Sequence, residues 1–219
     1  MKKTVRILFI GNSLTYYNLL PLCLKRFFAD AGVNAECIMQ TCGGKCLDYH
    51  CNRGDTEMNV KYGKFDYVIL QGKSSGFDPS AFIPAGESII KNLVYPAGCT
   101  PVLYMTWALK GDKKGQAPIT KAYEDLAAST GAILAPVGVA WKRAMRIRPA
   151  IEFYASDGNH PSPAGTYLAA AVIFASIEKR SRSIKLTDDG FYREYGLDRE
   201  SAAKINRIAI ETAAGYRAE

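Results

Sequence analysis

No apolar run in the 219 residues approaches the roughly 20 needed to cross a bilayer, which excludes a protein spanning a membrane by helices. The first turn lacks the glycine-rich loop and lysine of a phosphate-binding motif, which argues against a nucleotide-binding protein. Cys42, Cys46, His50 and Cys51 lack the paired short-loop spacing of a zinc finger or ribbon, so no metal is expected. Repeats, low-complexity tracts and linker-like segments are missing too, and the whole chain, 1–219, reads as a single domain. Histidine is scarce: His50 and His160 are the two in the sequence, so any histidine chemistry rests on one of them.

What is present is ordinary globular composition, 48% hydrophobic and 22% charged with 19 glycines and 10 prolines. A chain of this length buries roughly 70% of its unfolded surface and needs no disulfide or metal to hold a core. Cys23, Cys37 and Cys99 lie within apolar segments and read as core thiols of a reducing compartment. Met1-Lys2-Lys3 and the apolar stretch after it are interrupted by Arg6 and lack a cleavage site, so a strand is expected there rather than a signal peptide. Together these point to the cytoplasm; a leader removed upstream would instead imply a periplasmic or secreted protein. The formal charge is +7, with basic residues gathered at Lys142, Arg143, Arg146 and Arg148 and at Lys179, Arg180 and Arg182. These clusters close apolar-periodic segments, where cations favour helix C-termini, and no base-stacking aromatics are interleaved; neither a nucleic-acid nor a membrane partner is expected.

Apolar runs alternate with helix-period segments. Five strands are expected, at Val5 to Ile10, Ala35 to Gln40, Tyr67 to Gln71, Val102 to Thr106 and Ala132 to Pro136. Helices are expected at Leu19 to Ala31, Ala85 to Val94 and Ile119 to Thr130, from Pro163 through Ile177 after the N-cap Ser162, and from about Asp198. Residues 183–196 read as a surface connection. The series predicts a three-layer α/β/α sandwich around a five-stranded parallel sheet, in the flavodoxin-like order 2-1-3-4-5, with ligands beyond the carboxyl ends of the strands.

Ser13, in Gly11-Asn12-Ser13-Leu14-Thr15, falls at that edge, just past the first strand. A hydroxyl becomes a useful nucleophile when a base takes its proton, and His160 follows the last strand with Asp157 three residues before it. That spacing lets the carboxylate hold Nδ1 and leaves Nε2 for the serine. Backbone N–H groups of Ser13 and of the Gly43-Gly44 turn are the natural donors to an oxyanion. Tyr16, Tyr17, Trp107, Phe77 and Tyr154 fall near the same loops and could form an aromatic wall, although core packing accounts for at least half of such residues.

On these residues the chain resembles the SGNH (GDSL-like) hydrolases, serine esterases, lipases and carbohydrate deacetylases of flavodoxin-like fold. Ile10-Gly11-Asn12-Ser13-Leu14-Thr15 is similar to the family's nucleophile block and Asp157-Gly158-Asn159-His160-Pro161 to its Asp-x-x-His-Pro block. The resemblance implies Ser13 as nucleophile, His160 as base and then acid, Asp157 as its orienter, and Gly44 as the second-block glycine, with Gly43 the near alternative. Where the family has Gly-x-Asn-Asp, this chain reads Gln71-Gly72-Lys73-Ser74-Ser75. The Gln71 amide is the favoured substitute for the oxyanion asparagine; Ser74 occupies the nominal asparagine position and joins Tyr16 and Trp107 as an expected substrate contact. The implied substrate is a short acyl ester, foremost an O-acetyl group on carbohydrate, and no cofactor is implied. The competing expectation is a non-catalytic glycan- or small-molecule-binding module on the same fold.

Overall fold

The computed structural model describes residues 4–147, 150–178, 184 and 190–216. Five parallel strands, β1 (Val5–Gly11), β2 (Ala35–Thr41), β3 (Tyr67–Gln71), β4 (Thr100–Tyr104) and β5 (Ile133–Ala135), form one sheet in the order β2-β1-β3-β4-β5. The register runs Val5 opposite Ala35, Ile7 opposite Tyr67, Tyr67 opposite Thr100 and Val102 opposite Ile133. Fold class and strand order are those expected from the alternation of apolar runs. The period-2 pattern divides the core in two. Ile7, Phe9, Ile69, Val102 and Tyr104 face one helical layer, and Leu8, Ile10, Val68, Leu70 and Leu103 face the other.

The helices are α1 (Ser13–Tyr16), α2 (Leu20–Asp30), α3 (Leu47–Cys51), α4 (Gly54–Tyr62), α5 (Pro79–Ile89), α6 (Gln116–Thr130), α7 (Val137–Ile147), α8 (Pro163–Ile177) and α9 (Arg199–Ala214). Residues of α2, α7, α8 and α9 fill the first half-core, and residues of α5 and α6 the second. Helix α8 is buried over almost its whole length, which is why its sequence is apolar all round and rich in alanine. Ser162 caps it, its hydroxyl accepting from the Gly165 N–H at 3.1 Å, with Pro163 in the first turn. No helix among the described residues is long and apolar enough to cross a membrane.

Three expectations need correction. Helix α5 begins at Pro79 rather than Ala85 because Asp78 caps it, accepting from the Ser80 N–H at 2.9 Å, and Pro84 is accommodated inside the helix. It then widens into a π-helical turn over Ile90–Val94. Second, β4 starts two residues earlier than expected and ends at Tyr104. Of the segment read as a surface connection, Phe191–Tyr195 is a 3₁₀ turn with Phe191 and Tyr192 buried, Phe191 packing edge-on to Phe27; most of the remainder lies outside the described residues, as do Arg148, Lys179, Arg180 and Arg182. Arg146 closes the last turn of α7 and Arg143 pairs with Glu211 of α9, so the described part of the first basic cluster serves helix ends and helix packing.

Candidate active site

The chain turns sharply where β1 ends. Asn12 caps α1, accepting from the Leu14 N–H at 3.0 Å, and this places Ser13 at the first helical position, beyond the C-terminal edge of the sheet. The Asn12 side chain is buried and fully used: Nδ2 donates to Lys45 O at 2.7 Å and Gly72 O at 3.1 Å, and Oδ1 also accepts from Gln71 Nε2 at 3.0 Å. One residue thereby ties together the loops that follow β1, β2 and β3. Among the described residues, the N–H groups of Ser13, Gly43 and Gly44 make no hydrogen bond within the protein. For Ser13 this is the orphan donor expected of a first helical turn.

The loop ahead of α8 supplies the partner. An antiparallel bridge pairs Tyr154 with Pro161, and the Ala155 N–H donates to His160 O at 2.8 Å, closing residues 155–160 into a short reversal with Gly158 at φ +68°. The loop is held from behind by the Lys110 N–H on Gly158 O, 2.8 Å, and by the Trp107 indole N–H on Asn159 O, 3.0 Å. His160 Nε2 lies 2.8 Å from Ser13 Oγ, and Nδ1 lies 2.5 Å from Asp157 Oδ2. Asp157 Oδ1 accepts from the Asn159 and His160 N–H groups, each at 2.9 Å. The hydrogen bond from His160, reinforced by these two amides, lowers the Asp157 carboxyl from 3.8 to about 2, so it is ionised throughout the neutral range. A carboxylate on Nδ1 fixes the proton there and turns the Nε2 lone pair toward the serine hydroxyl. Tyr17 stacks on the imidazole, ring centroids 4.3 Å apart and planes 17° from parallel.

Other expected contacts fall elsewhere. Gln71 is fully buried and both ends of its amide are engaged. Oε1 accepts from the Asn12 N–H and the Thr15 hydroxyl, each at 2.9 Å; Nε2 donates to Asn12 Oδ1 and to Gly72 O. It has no donor left for an oxyanion, which corrects its expected role. Trp107, expected on a substrate wall, is also fully buried, stacked on Trp141 at 3.8 Å; it braces the His160 loop from the core side. Tyr154 is buried with its hydroxyl on Ala108 O, and Phe77 packs on Phe82. Tyr16 is exposed, with its hydroxyl against Gly43, where an added Cβ would sit 3.0 Å away. Gly44 adopts φ +71° with open space around it. The Ser74 hydroxyl is buried and has no hydrogen-bond partner.

Two contributors escaped the motif reading. Asn18 adopts φ +49°, followed by Leu19 at +54°, and its Nδ2 donates to Pro161 O and Thr166 Oγ1, each at 2.9 Å. It is a direct strut between the serine segment and the histidine loop. His50 is buried beneath the site with Nε2 2.9 Å from Gly11 O; burial lowers its pKa, so it is the neutral ring that donates to that carbonyl. An isolated asparagine or histidine gives no spacing signal, and both act through contacts that appear after folding. All six cysteines are free thiols, with Cys23 and Cys99 buried and Cys37 half-buried, and no three metal-ligating side chains cluster among the described residues.

The fold is shared with solved proteins. A DUF4886 family protein from Bacteroides uniformis superposes with a TM-score of 0.74 at 17% identity, over 97% of this chain and 95% of that one. An acetyl xylan esterase matches with a TM-score of 0.63 at 15% identity, over 76% and 96%. A catalytic mutant of an acetylxylan esterase from Geobacillus stearothermophilus matches at 0.58 and 13%, over 90% and 98%. No protein-family model matches the chain, and no curated protein matches its sequence. At these identities the likeness is one of fold: the three-layer α/β/α architecture of these esterases.

Proposed function

We propose that the protein is a serine hydrolase of short-chain acyl esters, with O-acetyl groups on carbohydrate as the foremost substrates. The observation that carries the reading is the continuous chain from Ser13 Oγ through His160 to Asp157, at 2.8 and 2.5 Å. His160 takes the Ser13 proton as Oγ attacks the ester carbonyl. The Ser13 and Gly44 N–H groups hold the developing oxyanion, and the unpartnered Ser74 hydroxyl is the third donor in place of Gln71. Protonated His160 then passes its proton to the departing alcohol. A water deprotonated by the same ring attacks the acyl-enzyme and regenerates Ser13. The acetylxylan esterases of this fold support an acetylated sugar as the substrate class.

The test is hydrolysis of p-nitrophenyl acetate and butyrate by the parent, Ser13→Ala and His160→Ala proteins across pH. The expected result is activity that both substitutions remove, with no acid limb from Asp157 above about pH 2 because its carboxyl stays ionised to there. A folded but inactive parent, or full activity in Ser13→Ala, overturns the reading. It would favour a non-catalytic binding module on this fold, to which the committed amide of Gln71 lends its one specific support.

A further inference from the structure

A cavity of about 390 Å³ lies between the loops after β2 and β3, lined by Gly44, Lys45, Cys46, Tyr49, Lys73 and Gly76, with Asp48, Asp78 and Ala81 at its remaining wall. Its two walls meet at the nucleophile's neighbour, because Asn12 hydrogen-bonds the backbone of both Lys45 and Gly72, the residue before Lys73. An ester whose carbonyl oxygen rests on the Gly44 N–H therefore has this cavity beside it. Neither lysine has an ion-pair partner among the described residues. The two carboxylates nearby do not neutralise them. Asp78 is turned to the start of α5, accepting from both the N–H and the hydroxyl of Ser80 at 2.9 and 2.7 Å, and Asp48 is exposed in the first turn of α3. Lys45 instead lies over the Tyr49 ring, its Nζ 5.4 Å from the centroid.

We infer that Lys45 and Lys73 form an anion subsite that selects esters whose alcohol half carries a carboxylate, an acidic sugar being the carbohydrate form. The inference rests on the esterase reading and deepens it. Two ammonium groups flanking an open cavity next to the ester attract a carboxylate, and the basic balance of the whole chain works in the same direction. A neutral acetylated sugar would leave both lysines without a partner.

The experiment compares kcat/KM for 4-acetoxybenzoate and its uncharged counterpart 4-acetoxybenzamide in the parent, Lys45→Gln, Lys73→Gln and Lys73→Glu proteins, each checked for folding by thermal unfolding. The parent is expected to prefer the carboxylate by about tenfold, the order expected of two half-exposed ion pairs, and to lose that preference as salt is added. Each glutamine variant lowers the ratio and Lys73→Glu brings it to one or below. A parent ratio near one, or a ratio unmoved by the substitutions, overturns the subsite while Ser13-dependent cleavage of the acetyl ester of 4-acetoxybenzamide leaves the esterase reading standing. Absence of hydrolysis of either compound overturns both.

Discussion

At Gln71 a single amide uses all its hydrogen-bonding capacity to hold the turn that carries Ser13, and this separates a positioning role from an oxyanion role by experiment. An oxyanion donor acts in the transition state, so its loss slows kcat on the order of 10²–10³-fold and leaves the fold alone. Replacing Gln71 with methionine strands the Asn12 N–H, the Thr15 hydroxyl and one acceptor of Asn12 in a buried site. The expected cost is about 2 kcal/mol of stability, a fall in Tm of roughly 4–8 °C, because buried polar groups without partners carry their full desolvation penalty. Calorimetry of Gln71→Met, with kcat and KM measured together, checks this; an unchanged Tm with a hundredfold loss in kcat would restore Gln71 as an oxyanion donor. Gly11 belongs to the same network: a Cβ there would press on Gln71 Oε1 and Thr15 Oγ1, which explains a glycine at a position with ordinary strand geometry.

Between elements, the site depends on how closely the α1 segment abuts the loop before α8, and Asn18 sets that spacing. Two consecutive residues at positive φ, neither of them glycine, cost on the order of 1–3 kcal/mol each, and the two bonds from Asn18 to Pro161 and Thr166 hold the chain in that conformation. Asn18→Ala is therefore expected to lower kcat by about tenfold with little change in KM, since loosening the strut misplaces the imbedded serine–imidazole contact without touching the substrate cavity. Asn18→Asp is the informative companion. It keeps the left-handed preference but removes the donor, and should behave like the alanine variant; a parent-like kcat in Asn18→Asp would show that the backbone turn alone sets the spacing. None of this was legible in the sequence, where Asn18 reads as one polar residue before a helix. Strand and helix order were legible because buried parallel strands are short apolar runs and the caps at Ser162 and Asp198 are explicit. Helices α3, α4 and α7 were not, being short or following a strand with no intervening turn signal.

Over the whole molecule, the pairing of Ser13, His160 and Asp157 was readable because parallel topology sends every strand's carboxyl end to one edge, so residues 144–147 positions apart in the chain become neighbours. Which aromatic residues reach solvent was not readable: Trp107 and Tyr16 follow strands alike, and it is the packing of Trp107 on Trp141 and Tyr104 and its bond to Asn159 O that bury it. The environments of His50 and Asp157 shape how stability responds to pH. His50 is depressed below 6.5 by burial, so the unfolded chain takes up its proton first, and the native state loses stability as pH falls from about 6.5 toward the folded value. Asp157 is depressed from 3.8 to about 2, so its contribution is complete above pH 4 and is lost as pH falls through that interval; exposure of its side chain keeps this contribution small. Unfolding free energy measured by urea titration from pH 8 to pH 3 should be flat at the top and decline below about 6.5. In His50→Gln, whose amide can still donate to Gly11 O, that upper decline should vanish while the loss near pH 3 persists. In Asp157→Asn the upper decline should remain and the loss near pH 3 should shrink only slightly, because Asp55, Asp78, Glu87 and Glu152 are lowered as well; an upper decline that survives in His50→Gln would place its origin outside the Gly11–His50 contact.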